Sequence, residues 1–361
     1  MTYRNPWLDV CRSLAICLVM LSHGRVYVLP LAPDANWLKF GGFLGVELFF
    51  VLSGFLIGGI MLREVDRSDR PFSWIPRFWA RRWLRTLPNY FLFLALNAAI
   101  AGNIRPADLT HALSYLFFMQ NLSWPPRSFF IESWSLSVEE IFYLVTPLVV
   151  ATAWAMGATR RNSILLTAAT IVLISTSARI VAAKWLGLSF TDIRTIVVLR
   201  LDAIMVGVLL AGIASAGSMA ASRIRIGAVA LLPLFALAAW ISGLPDGALN
   251  ASLTAKVGLF PLASVGCAAL ILTGSSSLKH VPRYLDSITS RVARWSYSAY
   301  LVNVPLLAGL HALAPVPNGA AGCISMWLSY FTGTFLISSA IYRIYERPLL
   351  RWRDRMTFAE S

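Results

Sequence analysis

Gly41-Gly42-Phe43-Leu44-Gly45-Val46-Glu47-Leu48-Phe49-Phe50-Val51-Leu52-Ser53-Gly54-Phe55-Leu56-Ile57-Gly58-Gly59-Ile60-Met61-Leu62 is an unbroken apolar run with one charge. A helix of that length reaches ~33 Å, enough to cross ~30 Å of hydrocarbon. The chain around it is of the same character. Of its 361 residues 57% are apolar and 13% charged, and its mean hydropathy is +0.67. A soluble domain is nearer half apolar and about a quarter charged. A soluble globular protein, a disordered chain and a small disulfide scaffold are thereby excluded, leaving an integral membrane protein.

Ten such runs occur, at residues 8–29, 41–62, 84–102, 137–157, 162–183, 194–216, 225–242, 254–274, 293–314 and 321–345. The expected fold is all-α, a polytopic membrane helix bundle of about ten transmembrane helices. One integral membrane domain would cover 5–350, with a basic cytoplasmic tail at 351–361. The first run carries Asp9, Arg12 and His23 and is followed by no small-residue cleavage site, so it reads as a retained span rather than a signal peptide.

The net charge is +14, which in a soluble protein would suggest nucleic acid. Its distribution suggests otherwise. With the N-terminus inside, 21 of the 31 Lys and Arg fall on the inner side, among them Arg4, Arg67, Arg77, Arg160, Arg223, Arg225, Lys279 and Arg353. Six fall outside, including Arg105, Arg127 and Lys184, and four lie within spans. This asymmetry predicts a multi-pass protein of the plasma (cell inner) membrane with both termini cytoplasmic, facing membrane lipids and no nucleic acid. Cys11, Cys17, Cys267 and Cys323 lie in apolar stretches without metal-ligand spacing and read as packing residues, so no metal is expected. Gly41-x-x-x-Gly45 and Gly54-x-x-x-Gly58 suit close helix packing. Outside, a helix-like run from Ala107 to Met119 precedes Trp124-Pro125-Pro126, a turn suited to the membrane surface.

Ionisable side chains inside spans are costly in lipid and mark functional sites or buried partners. On the first span, Arg12 and His23 return to within about 20° of one helix face and lie ~16 Å apart along it, with Asp9 about 60° from Arg12. Glu47 on the second span is placed to orient or charge-balance His23, or to bond a backbone group or an arginine. Arg82 and Arg85, three residues apart at the inner mouth of the third span, share a face. Arginine forks suit phosphate, although basic inner edges also serve as lipid anchors. On the fourth span Glu139 and Glu140 point about 100° apart, and helix geometry does not choose between them. The sixth span holds Arg200 and Asp202.

Six strings in order resemble the acyltransferase 3 family: Asp9-x-x-Arg12 with His23, Gly45-Val-Glu-Leu-Phe-Phe-Val-Leu-Ser-Gly-Phe55, Arg82-x-x-Arg85-x-x-Pro88, Trp134-Ser-Leu-Ser-Val-Glu139-x-x-Phe-Tyr143, Ser296-Tyr-Ser-x-Tyr-Leu301 and Glu346-Arg-Pro348. The resemblance covers essentially the whole chain and implies a membrane O-acyltransferase that modifies carbohydrates or small secreted molecules. It implies Arg12 and His23 as the essential pair, with Glu139 and the third-span arginines also functional. Members often carry histidine where this chain has Asn303, which puts a proton-transfer role there in doubt. Members fused to an extracellular hydrolase-like domain hand the acyl group onward; this chain is expected to complete transfer itself or to pass the group to a separate protein.

The chemistry is consistent with that resemblance. Esterifying a sugar hydroxyl requires a base near neutral pH, for which imidazole is suited. The expected catalytic residues are His23, Glu139 and Glu47. Arg12, Arg82 and Arg85 would hold the acyl-CoA donor, acetyl-CoA above all, as co-substrate rather than as a permanently bound cofactor. Arg200, Asp202 and Trp134 would meet the acceptor, a glycan or lipid-linked glycan of the cell envelope or an exported polysaccharide. Acylation of a small molecule such as a macrolide shares these motifs, and a proton-coupled transporter would also bury His and Glu.

Overall fold

A computed structural model describes residues 5–104, 112–126, 129–215, 218–277, 281–314, 317 and 319–358, with backbone only for 103–104, 218–226, 275–277 and 356–358. Arg4, Arg105, Arg127, Lys279, the stretch 107–111 of the outer run and the end of the tail lie outside these residues, as do the side chains of Arg223 and Arg225. The regular structure of the described residues is entirely helical, with no strand. The helices are α1 (Pro6–Gly24), α2 (Phe40–Asp66), α3 (Ile75–Ile104), α4 (Ala112–Leu116), α5 (Trp134–Ala155), α6 (Arg160–Lys184), α7 (Phe190–Thr195), α8 (Leu201–Ala214), α9 (Ser218–Gly243), α10 (Asp246–Ala251), α11 (Leu253–Ser277), α12 (Arg283–Leu313), α13 (Ala320–Ile341) and α14 (Arg347–Phe358).

Among the described residues, six helical stretches are by themselves long and apolar enough to cross a membrane: Pro6–Tyr27, Pro33–Asp66, Ile131–Ala155, Arg160–Lys184, Leu253–Gly274 and Ala320–Arg355. The fold is thus an all-α membrane helix bundle. Three of the remaining runs lie in α3, α9 and α12, and the first and last of these carry charges in their opening turns. The run at 194–216 is not one helix. Asn121 donates from Nδ2 to the carbonyl of Thr195 at 2.6 Å, and its own carbonyl accepts from Val197 N at 2.9 Å. The chain breaks between the two helices here: α7 ends at Thr195, Ile196 is extended, Val197–Leu199 form a 3-10 turn, and α8 begins only at Leu201. Its 14 residues give about 21 Å, short of the hydrocarbon thickness.

Local sequence accounts for several helix boundaries. Asn5 caps α1 through its side chain, with Pro6 in the first position, where no N–H is needed. Ser189 and Asp192 close a reciprocal capping box on α7. Pro348 has no N–H to continue the ladder and its ring crowds the preceding turn; there the chain adopts a π-helical turn over Tyr342–Glu346. Helix α6 is inverted relative to a soluble helix. On α6, Leu166, Leu173 and Ile174 are exposed while Arg179 is fully buried, the arrangement expected of a helix facing lipid.

The chain forms two compact units, Met1–Leu52 with Ala216–Tyr342, and Ser53–Ser215 with Arg343–Ser361. In the first, α1 packs on α12, α9 on α11 and α12 on α13. A methyl group at Gly41 or Gly45 would collide with the backbone of α1 at Leu18 or Ala15, so this glycine pair sets a close antiparallel crossing. Ser13 meets Thr289 and His23 meets Asn303, so α1 and α12 run parallel. In the second unit, Gly54 and Gly58 lie against Ile204 and Val208 of α8, a parallel crossing. Arg161 reaches the carbonyl of Gly212, while Arg179 reaches Asp202, so α6 and α8 are antiparallel.

Candidate active site

In the first unit His23 ends α1, half-buried, with Arg12 and Asp9 on the same helix toward its start. Hydrogen bonds fix this helix along its length. Trp7 Nε1 donates to the carbonyl of Leu270 at 3.0 Å, and Ser13 Oγ to that of Thr289 at 2.9 Å. His23 Nδ1 lies 2.5 Å from Asn303 Oδ1. Asn303 is fully buried on α12, and its Nδ2 donates to the carbonyls of Ala299 at 3.1 Å and Tyr300 at 2.6 Å. Its Oδ1 also accepts from the hydroxyl of buried Tyr330 at 3.4 Å. Turning the amide over would set Oδ1 against two carbonyl oxygens, leaving acceptors facing acceptors in a buried site.

Glu47 is fully buried in the same unit, where Ser264 Oγ donates to its Oε2 at 3.4 Å and Cys267 lies within electrostatic reach. Phe43, one turn earlier, packs edge-on against Phe260. Glu47 therefore has a hydroxyl partner on α11, a contact that sequence alone did not assign.

The second unit holds the remaining predicted residues. Pro147 cannot donate to the carbonyl of Tyr143 four residues earlier, and Trp79 Nε1 fills that vacancy at 2.9 Å. This fixes α3 against α5. Glu139 and Glu140 have different surroundings. Glu139 is half-buried and accepts from the Tyr143 hydroxyl at 3.1 Å, with Ser53 Oγ 3.3 Å from that hydroxyl. Glu140 is buried beside Thr86, Arg82 and Trp83 of α3.

Arg82 is half-buried, within electrostatic reach of Arg81, Arg85 and Arg353, while Arg85 is exposed. Asn89 Nδ2 donates to Glu346 Oε2 at 3.1 Å and the Tyr345 hydroxyl to the carbonyl of Pro88 at 3.2 Å. These bonds set α14 along α3 and bring Arg353 to Arg82. The result is a cationic ledge built from two distant stretches of sequence.

Arg200 is fully buried immediately before α8. Asp202 in the first turn of α8 is ion-paired with Arg179 of α6, both side chains buried. Trp134 opens α5, buried, its carbonyl accepting from Asn121 Nδ2 at 3.0 Å. Sequence reasoning singled out neither Arg179 nor Tyr330, and it noted Asn303 only as a departure from the family string. Arg179 had one signal, a lone cation deep in an apolar run; Tyr330 had none. Among the described residues no group of three or more His, Cys, Asp or Glu is placed to hold a metal ion.

Comparison with known proteins adds three findings. A family model described as an acyltransferase domain, of the acyltransferase 3 type, matches residues 5–343. A peptidoglycan O-acetyltransferase, OatA, of Listeria monocytogenes is 31% identical over 167 residues, 41% of this chain and 25% of that protein. An O-acetyltransferase, OatA, of Staphylococcus aureus is 30% identical over 159 residues, 40% of this chain and 24% of that protein. The matched part thus spans about a quarter of the length of these relatives. No solved structure matches the chain.

Proposed function

Because the chain belongs to the acyltransferase 3 family, we propose that it is a membrane O-acyltransferase that moves an acyl group, acetyl above all, from acyl-CoA to a hydroxyl of a cell-envelope glycan. The observation that carries this reading is the imidazole of His23, half-buried on a membrane-length helix and held at Nδ1 by a buried amide.

In the proposed reaction the acceptor hydroxyl oxygen attacks the thioester carbonyl while His23 takes its proton. The carbon–sulfur bond then breaks, and the imidazolium returns the proton to the departing thiolate, giving the ester and free CoA thiol. The carboxylate of Glu139 supplies negative charge to the reacting groups, and Glu47 orients its own helix through Ser264. Arg12, Arg82 and Arg85 hold the phosphates of the donor, for which planar guanidinium forks are suited. Arg200, Asp202 and Trp134 are assigned to the acceptor, with Asp202 positioned by Arg179.

The proposed arrangement in the plasma membrane has ten crossings and both termini inside. Helix directions within each unit support it. The crossings α1 and α12, first and ninth in that order, run parallel, as do α2 and α8, second and sixth, whereas the consecutive α6 and α8 are antiparallel. Lys39 pairs with Asp246 at 2.5 Å, and Arg160 bonds the carbonyl of Ser68 at 2.7 Å; each contact joins loops that this order puts on one side. The short α8 completes its crossing with the 3-10 turn Val197–Leu199 and α7 before it.

The test is acyl transfer from radiolabelled acetyl-CoA to envelope glycan by purified protein and its His23→Ala variant. A general base contributes about 10²–10⁴-fold, so a loss of that size at normal expression is expected. A variant with wild-type turnover removes His23 from the mechanism.

A further inference from the structure

We infer that Asn303 is the positioning residue that fixes the tautomer of His23, placing the proton on Nδ1 and leaving Nε2 as the basic nitrogen. The inference deepens the proposed acyl transfer and rests on that reading for its catalytic consequence, but the tautomer itself rests on geometry alone.

The amide of Asn303 has both of its donor hydrogens directed at carbonyl oxygens, those of Ala299 and Tyr300. An amide nitrogen cannot accept, so the only atom Asn303 offers to the imidazole is Oδ1, which stands 2.5 Å from His23 Nδ1. The Tyr330 hydroxyl, aimed at the same oxygen, reinforces that orientation. A carbonyl oxygen cannot donate, so Nδ1 must carry the hydrogen, and in the neutral ring the lone pair then belongs to Nε2. When Nε2 takes the acceptor's proton, the Nδ1–H···Oδ1 bond is retained in the imidazolium. The proton therefore enters and leaves through one nitrogen, and no rearrangement at Nδ1 is needed during the cycle.

A histidine at this position has the same capacities. One of its ring nitrogens can accept from His23 while the other donates to a carbonyl one turn back, so Asn303 reproduces by an amide what an imidazole would do there. Leucine keeps the volume and loses both functions.

The experiment uses full-length protein labelled with ¹⁵N only at histidine, of which the chain has four. The resonance of His23 is assigned by its disappearance in a His23→Gln variant. Wild type and Asn303→His are expected to show a protonated Nδ1 and a bare Nε2 at alkaline pH. Asn303→Leu is expected to shift the proton toward Nε2 and to lower kcat about 10²-fold at unchanged KM for acetyl-CoA, with Asn303→His within several-fold of wild type. Wild-type protein protonated at Nε2, or a leucine variant with wild-type kcat, overturns the inference. The spectra read the tautomer whether or not the protein transfers acyl groups, so failure of the proposed function and failure of this inference give different results.

Discussion

The hydroxyl of Tyr143 donates to Glu139 Oε2 at 3.1 Å, one turn back on α5, and stands 3.3 Å from Ser53 Oγ on α2. The neighbouring carboxylate, Glu140, is buried against α3 beside Arg82. Two adjacent acids thus have separate surroundings, and each yields its own expectation. Glu139→Gln keeps an acceptor for Tyr143 but removes the charge, and is expected to lower kcat by about 10²-fold. Glu140→Gln alters the environment of Arg82 and is expected to raise KM for acyl-CoA with kcat near wild type. Steady-state kinetics at matched expression distinguish them, and the reverse pattern would move the catalytic role to Glu140.

The buried pair of Arg179 and Asp202 joins α6 to α8. Removing one partner leaves an uncompensated buried charge, which costs about 3–5 kcal/mol. Asp202→Ala is therefore expected to lower the melting temperature in detergent sharply, and the double variant Arg179→Leu with Asp202→Leu to recover most of it. Equal melting of the single variant and wild type would show that the pair is not structural and leave Asp202 to the acceptor alone.

How much of this was legible in the sequence follows from what each signal encodes. Apolar runs encode helices, and every run predicted as a span is helical at least in part. They do not encode breaks made by distant partners, so the run at 194–216 looked continuous although Asn121 interrupts it through Thr195 and Val197. The stripe carrying Arg12 and His23 was readable because it lies on one helix with a fixed period. Its partner Asn303 is 280 residues away, beyond the reach of any local pattern. The basic ledge was half legible for the same reason. Arg82 and Arg85 are local neighbours, whereas Arg353 is brought in by Glu346 and Tyr345 through contacts to Asn89 and Pro88.

Arg82 and Arg85 lead to a donor titration. If they hold the phosphates of acyl-CoA, Arg82→Ala and Arg85→Ala raise KM for the donor more than for the acceptor, each by about tenfold, the ~1.5 kcal/mol of a charge-assisted hydrogen bond. Because Arg82 lies among other guanidiniums, its loss is expected to be partly covered by Arg353, and the double variant to fall further. Donor affinity unchanged in both single variants and in the double would reassign these side chains to lipid anchoring.

Gly54 meets α8 so closely that a methyl group would overlap the carbonyl oxygen of Ile204, whereas at Gly59 the nearest neighbour is the end of the Arg63 side chain at 3.7 Å. Overpacking a fixed helix crossing costs about 1–3 kcal/mol. Gly54→Ala is expected to destabilise the protein by that amount, read as the melting temperature in detergent, and Gly59→Ala to be neutral or slightly stabilising, since alanine favours the helix. Equal effects at the two positions would mean that α2 and α8 are not held at this distance.

The proposed topology makes an independent prediction on intact cells. Arg67 and Arg160 belong to loops joined by the bond from Arg160 to the Ser68 carbonyl, while Asp246 belongs to a loop joined to Lys39. In the proposed orientation the arginine-rich first pair of loops is inside, as the positive-inside rule predicts, so single cysteines at Arg67 and Arg160 should resist a membrane-impermeant maleimide until the cells are opened. Cysteines at Asp34 and Asp246 should label at once. Three native cysteines, Cys11, Cys267 and Cys323, are buried, but Cys17 is exposed on α1. The four are therefore replaced by alanine or serine before the test. Position 246 is the more exacting outer site, because five crossings separate it from Arg67 and an odd number is needed to change sides. Labelling of Asp246→Cys only in opened cells, with Asp34→Cys reactive from outside, would mean that one of the intervening runs does not cross. The short α8 would then be the first to be redrawn.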